Sequence, residues 1–424
     1  MGPALCPNEY LGSPWDDPDG RRNPVNWPIG LKIFHTLVPC LLAFGITFGT
    51  SVSVPATDLV AADFNVSRTE SILLLTLYTL GLAFGPVVIA PLSEYFGRKW
   101  IYVTTSSFLL AFTGGAAAAQ NFTTLLVCRF LAGFLGSAGV AIWAFGKVGG
   151  IVSLFFILGP FLGPSFGPLA RAYILYNHDK DWRWTQYLLL MIGAPILFGT
   201  VLMRETSKQG ILQSAGRKAI SGPSQPTLFG KMIQAAMVRP VRMLCTETVV
   251  RLLTLYTAFA YAMVFSYFGS ASYVLQLDYG FSLREVGLNF ISVIIGYILA
   301  LFMSIVGGGS AAPEHRLYAE MAGSILLPIG LFWLEPHRGG HWAALIAAGI
   351  PFGMGGILHF SLAANGTLRY TLGATFPLFT LQMYQNLGIH RAGSVFAFLS
   401  FPLNPIPWLL FKYGHRLRAT SRFI

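Results

Sequence analysis

The sequence predicts an all-α integral membrane protein built as two bundles of six helices. Three observations carry this. The 424 residues are 54% hydrophobic and only 11% charged, with a mean hydropathy of +0.60, whereas soluble domains average about 25% charged residues. Apolar runs of roughly 17 to 25 residues, long enough to cross the hydrocarbon core of a bilayer, recur along the chain. Near the middle they are interrupted by a stretch rich in Lys, Arg, Ser, Gly and Pro, the composition of a linker between halves.

Taken in order, residues 1–32 form a polar, proline-rich N-terminal tail. They hold no apolar core followed by a small-residue cleavage site, so the first membrane helix is expected to serve for targeting. Residues 33–203 form the first bundle, with spans at 33–56, 70–92, 100–119, 122–144, 148–171 and 184–203. The linker occupies 204–245. The second bundle covers 246–412, with spans at 246–275, 286–306, 318–334, 342–358, 362–384 and 392–412, and a short tail follows at 413–424. The stretch 342–384 is barely long enough for two helices. An eleven-helix alternative would place the basic C-terminal tail outside, against the positive-inside rule, so twelve is preferred.

The fifth span carries the most unusual pattern. From Gly159 to Pro168 it reads Gly-Pro-Phe-Leu-Gly-Pro-Ser-Phe-Gly-Pro. A proline inside a soluble helix costs about 3 kcal/mol, but a membrane bundle can re-satisfy the freed carbonyls. The spacing puts Gly159, Gly163 and Gly167 on one face, where a second backbone can approach closely. Pro160, Pro164 and Pro168 shape the helix.

Charge sets the orientation. A cytoplasmic N-terminus places Arg98, Lys99, Lys147, the basic linker residues and Lys412, Arg416, Arg418 and Arg422 inside, as the positive-inside rule requires. The other side then carries the glycosylation sequons at Asn65 and Asn121, which are accessible only there. The formal charge of +11 lies between apolar spans rather than in one patch with readout motifs, so nucleic acid is not an expected partner. Cys6, Cys40, Cys128 and Cys245 are scattered, giving neither a disulfide framework nor metal-ligand spacing. No cofactor or metal is expected. Phosphate-binding loops, nucleophile elbows and zinc-protease motifs are missing from the sequence, which excludes the common nucleotide-driven pumps and membrane enzymes. A secondary transporter with a midplane site and two rocking halves is the class that remains.

The family resemblance rests on ordered motifs. Gly81-Leu-Ala-Phe-Gly85-Pro86 is followed by Pro91-Leu92-Ser93-Glu94-Tyr95-Phe96-Gly97-Arg98-Lys99. Gly97 permits the tight reversal between antiparallel helices, Glu94 can serve a helix N-terminus or an arginine, and Arg98 and Lys99 hold the loop inside. This segment closely resembles the cytoplasmic loop motif of the major facilitator superfamily, in the form used by its fungal drug/proton antiporter branch. The run Arg129-Phe-Leu-Ala-Gly133-Phe-Leu-Gly136-Ser137 resembles the fourth-helix motif of that family, and Gly159–Pro168 its fifth-helix antiporter motif. Trp15-Asp16, Pro18, Asn23-Pro24 and Asn26-Trp27 look like the N-terminal signature of the branch. The resemblance continues through Trp182-Arg183-Trp184-Thr185-Gln186, Pro313-Glu314-His315-Arg316, Pro328-Ile329-Gly330-Leu331-Phe332-Trp333, Ile350-Pro351-Phe352-Gly353 and Gln382-Met383-Tyr384, nearly the whole chain.

The resemblance implies a major facilitator fold and export of drugs, toxins or secondary metabolites by proton antiport with alternating access. The implied partners are a small-molecule substrate, protons and the lipid bilayer around a monomer. The implied location is the cell membrane, with a vacuolar or other internal membrane as the alternative. Arg129 is implied in proton coupling, where its permanent charge would tune a neighbour, with a purely structural arginine satisfied by carbonyls as the rival reading. Glu247 is a candidate coupling carboxylate, with a local ion pair to Arg251 as the rival reading. Tyr78, Tyr256, Phe259, Tyr261, Asn365 and Arg369 are candidate cavity residues, since aromatic and hydroxyl groups suit bulky apolar or cationic ligands. His359 is expected near a helix end, and no acid is expected at mid-membrane. Departures from the family pattern after the fourth helix and at 342–384 keep two alternatives open, an uncoupled facilitator and a non-transporting sensor or scaffold.

Overall fold

The computed structural model describes residues 23–142, 158–170, 181–207, 210–211, 238, 242–306, 313–333, 341–358 and 366–419. Among them the regular elements are helices: α1 Ile29–Ser51, α2 Thr57–Phe64, α3 Arg68–Phe96, α4 Arg98–Ala117, α5 Phe122–Gly136, α6 Ala138–Ala141, α7 at 158–170 and α8 Trp184–Leu202 in the first half. The second half holds α9 Thr248–Tyr279, α10 Leu283–Val306, α11 Pro313–Trp333, α12 Trp342–Leu358, α13 Gly366–Leu387, α14 Ile389–Ser400 and α15 Pro405–Ala419. Where the described residues overlap the expected spans they are largely helical, the fifth from residue 158 onward, and two helices lie among the described residues of 342–384. Among the described residues, seven helical stretches are long and apolar enough to cross a membrane, with α5–α6 and α14–α15 each taken as one stretch.

Three expected spans are interrupted, each for a visible reason. The first ends at Ser51, because Pro55 starts a 3-10 turn, Val54–Ala56, that leads into the short helix α2. The fourth breaks at Ser137, whose hydroxyl turns back to Phe134 O at 2.8 Å. The last is split by a turn at 401–404, and Pro405 then opens α15 at a first-turn position, where a missing N–H costs nothing.

Helix starts repeat between the halves. Ser67 and Glu70 cap α3 reciprocally, with Ser67 N donating to Glu70 Oε2 (2.7 Å) and Glu70 N donating to Ser67 Oγ (3.1 Å). Ser282 and Glu285 form the same box before α10, through Ser282 N to Glu285 Oε2 at 2.7 Å and Glu285 N to Ser282 Oγ at 3.4 Å. Each box satisfies backbone donors that a helix leaves orphaned at its first turn.

Close approach through glycine holds each half together. A Cβ on Gly163 would strike Thr47 Oγ1, Phe48 N (2.5 Å) and Phe44 O (2.7 Å), so the Gly-Pro face of α7 lies directly on the α1 backbone. The helix α3 packs on α5, with Gly81 facing Phe130 O, and α10 packs on α12, with Gly353 facing Val293 O, both at 2.5 Å from the missing Cβ. Across the halves α13 lies against α3. There Thr76 Oγ1 donates to Ala374 O (3.1 Å) and Gln382 Nε2 donates to Thr69 Oγ1 (3.3 Å).

Candidate functional site: a cavity between the halves

Where α1 gives way to α2, and α3 faces α9 and α13, a cavity of about 300 Å³ opens. From the first half it is lined by Ser53, Thr57, Asp58, Arg68, Ser71 and Leu75, and from the second by Phe265, Ser266, Tyr273, Gln276 and Thr380. The wall is mostly apolar with scattered hydroxyls, the composition of a small-molecule site. Its charged residues neutralise each other, since Arg68 Nε lies 2.9 Å from Asp58 Oδ1. The same end of the bundle is tied by Asp63, which accepts from Trp182 Nε1 (2.9 Å) and pairs with Arg183 (3.4 Å). Asn65 and Asn121 are both exposed at this end, Asn65 in a left-handed conformation (φ 52°) and Asn121 capping α5.

Arg129 sits behind the cavity wall. It is 1% exposed, its guanidinium lies 4.5 Å from the Tyr78 ring centroid, and Nη2 donates to Gly49 O (2.8 Å) and to Ser53 Oγ. Burying a charge is costly unless it is hydrogen-bonded. The carbonyl of Gly49 and the hydroxyl of Ser53 supply acceptors here, and Ser53 itself lines the cavity. Tyr78 is locked by donating to Ile46 O at 3.0 Å and does not line the cavity.

Beneath the floor formed by Phe265 and by Ser266, which accepts from Thr380 Oγ1 (3.1 Å), lies a closed aromatic layer. Tyr261 packs on Phe265 (5.0 Å between centroids) and edge-on to Tyr370 (5.2 Å), while Phe161 of α7 reaches across to Tyr261 and Tyr297 at 6.1 and 5.6 Å. Arg369 lies over the rings of Tyr261 and Tyr370 at 5.2 and 4.7 Å. The structure therefore brings Tyr261 and Arg369 together, but below the open cavity rather than on its wall. Phe259 is buried against Phe376, and Tyr256 is turned into the second half, its hydroxyl donating to Glu320 O at 3.3 Å. Asn365 and His359 lie outside the described residues, as do Lys147 and most of the linker.

At the opposite end from the cavity mouth, the loop motif is closed by a residue that the sequence reading did not select. Glu205, just past α8, accepts from Arg98 N (3.0 Å), Lys99 N (3.1 Å), Thr206 N (2.9 Å) and Ser207 N (2.7 Å). Glu94 is exposed in the last turn of α3, and the α4 N-terminus is taken by Glu205 instead. Gly97 makes the approach possible, with φ of 92° and a missing Cβ that would lie 2.5 Å from Glu205 Oε2. Next to it, the buried His35 accepts from Arg204 N at Nε2 (2.8 Å) and holds Leu31 O at Nδ1 (2.8 Å), which fixes the neutral tautomer. Arg251 N donates to Glu247 O at 3.0 Å, one turn along the start of α9. Glu320 on α11, a carboxylate that the sequence did not single out, is fully buried. Its position about two turns into a helix with a polar start disguised it as an end residue.

Comparison with known proteins follows the same lines. The model of the Major Facilitator Superfamily matches residues 40–406. The efflux pump radE of Floropilus chiversii is 32% identical, over 99% of this chain and 88% of that protein. Polyamine transporter 4 of Saccharomyces cerevisiae is 31% identical, over 96% of this chain and 72% of its own length. The radE alignment runs over 476 positions against 424 residues here, so it contains gaps in this chain. Among solved structures, the proton:xylose symporter XylE superposes with a TM-score of 0.63 at 14% identity, covering 91% of this chain and 96% of that one. That likeness concerns the fold alone.

Proposed function

The chain belongs to the Major Facilitator Superfamily, and from that premise we propose that it exports small organic molecules, drugs, toxins or secondary metabolites, by proton antiport with alternating access. The carrying observation is the link between Arg129 and the cavity. A fully buried cation shares its hydrogen-bonding group with Ser53, a wall residue, so any change in the cavity that moves Ser53 alters the solvation of the charge. Protonation chemistry near such a charge is coupled to occupancy by ordinary linkage. The two curated relatives are named as an efflux pump and a polyamine transporter, which supports a small-molecule cargo. Their names leave its class open.

In this reading residues 33–203 and 246–412 are the moving halves, and 204–245 is their cytoplasmic linker. The cavity faces outward, and Glu205, Arg98, Lys99 and Gly97 form the closed inner end. The Gly159–Pro168 face on α1 is a rigid hinge line. Asn65 and Asn121 are glycosylated on the outer side. The chain acts as a monomer in the cell membrane, is not an enzyme and needs no cofactor.

Expression in a transporter-deficient yeast, scored against azoles, polyamines and toxic metabolites, tests the proposal. Resistance to at least one compound is expected, and Arg129→Ala should abolish it at unchanged surface expression. Resistance that survives in Arg129→Ala removes this residue from the mechanism. No resistance to any compound favours a sensor or scaffold.

A further inference from the structure

Four buried hydroxyls meet at the aromatic layer below the cavity, and none has a hydrogen-bond partner: Tyr261 on α9, Tyr297 on α10, Tyr370 on α13 and Ser165 on α7. All are at most 3% exposed. The Tyr261 hydroxyl faces that of Tyr370, and the Tyr297 hydroxyl faces Ser165, yet neither pair reaches hydrogen-bonding geometry. Buried polar groups are nearly always satisfied, and an orphaned one costs the full desolvation penalty. Four at one spot, drawn from both halves and from four helices, form a group of donors awaiting an acceptor. The Arg369 guanidinium lies over two of the same rings, so the field at this point is positive.

We infer that this cluster is the recognition site for an anionic oxygen group, a carboxylate or an enolate, on the exported molecule. The inference rests on the export reading above and names its substrate class. When the halves part, the floor at Phe265 lifts and the hydroxyls, Arg369 and an entering carboxylate can meet. Hydrogen bonds to a charged acceptor are the strong kind. An ammonium would be disfavoured, because the Arg369 guanidinium already lies over the Tyr261 and Tyr370 rings and repels a second cation there. A polyamine therefore fits this site poorly.

The test uses the purified full chain in lipid nanodiscs, titrated with salicylate as the monocarboxylate probe and spermidine as the polycation. Saturable salicylate binding and no spermidine binding are expected. Tyr261→Phe, Tyr370→Phe and Ser165→Ala should each weaken salicylate about tenfold or more, the loss expected for one hydrogen bond to a charged group. Because each substitution deletes an orphaned hydroxyl, the thermal midpoint should hold or rise, a response that a merely structural hydroxyl would not give. Absence of salicylate binding, undiminished affinity in the three variants, or spermidine binding in its place overturns the inference. Transport is scored separately in proteoliposomes. Salicylate that binds through the hydroxyls but is never moved leaves the site standing and defeats the export reading, whereas proton-driven movement of spermidine without salicylate defeats the site alone.

Discussion

At the residue scale, the fold depends on positions where a side chain would be one atom too many. Gly163→Ala places a methyl against the backbone of α1 at Phe48 N and Phe44 O, which cannot yield as a flexible side chain would. Overpacking of this kind costs about 1–3 kcal/mol, so thermal unfolding in detergent should show a clearly lowered midpoint. Gly114→Ala is the matching control, since nothing lies within 4 Å of its missing Cβ. It should be neutral or slightly stabilising. The glycine stripe was legible in the sequence through its four-residue spacing, but its partner helix was not, because spacing names a face without naming what covers it. Arg129 was legible as a charge in an apolar run. Glu320 was missed because a carboxylate two turns into a helix looks like an end residue until the neighbouring helices are placed around it.

At the element scale, α4 depends on a carboxylate from another part of the chain. Glu205 satisfies the first N–H groups of α4 and sits at the positive end of its dipole. Glu205→Ala should destabilise by about 2 kcal/mol, given four bonds to a partly exposed charged acceptor, whereas Glu94→Ala should stay within about 0.5 kcal/mol. Chemical denaturation of both variants separates these outcomes, and equal losses would return the capping role to Glu94. Sequence proximity favoured Glu94, three residues before Gly97, while the true cap is over a hundred residues away and no local pattern could point to it. In contrast, the boxes Ser67–Glu70 and Ser282–Glu285 are built from residues three apart in sequence, and they recur at the second membrane span of each half. The helix breaks at Ser137 and at 401–404 were hidden by hydropathy, which measures span length and is blind to a turn inside an apolar run.

For the whole molecule, the division into halves and the membrane-embedded helical class followed from composition and span counting, because a bilayer imposes both length and polarity on the chain. The cavity did not. Its walls come from residues far apart in sequence, Ser53 and Thr380 among them, and most are common membrane-helix types with nothing to distinguish them one by one. Its facing is testable by labelling. Ser266→Cys should react with a membrane-impermeant maleimide added from outside, and far more slowly once the outer mouth is cross-linked between positions 58 and 276.

The central claim is that outward movement of a small organic molecule is driven by inward movement of protons. Its most direct test reconstitutes the purified chain in proteoliposomes with a compound to which it confers resistance, and follows that compound under an imposed pH gradient. The account predicts accumulation against the compound's own gradient that collapses when a protonophore is added. Equilibration at the same rate with and without the proton gradient would contradict it and identify an uncoupled facilitator.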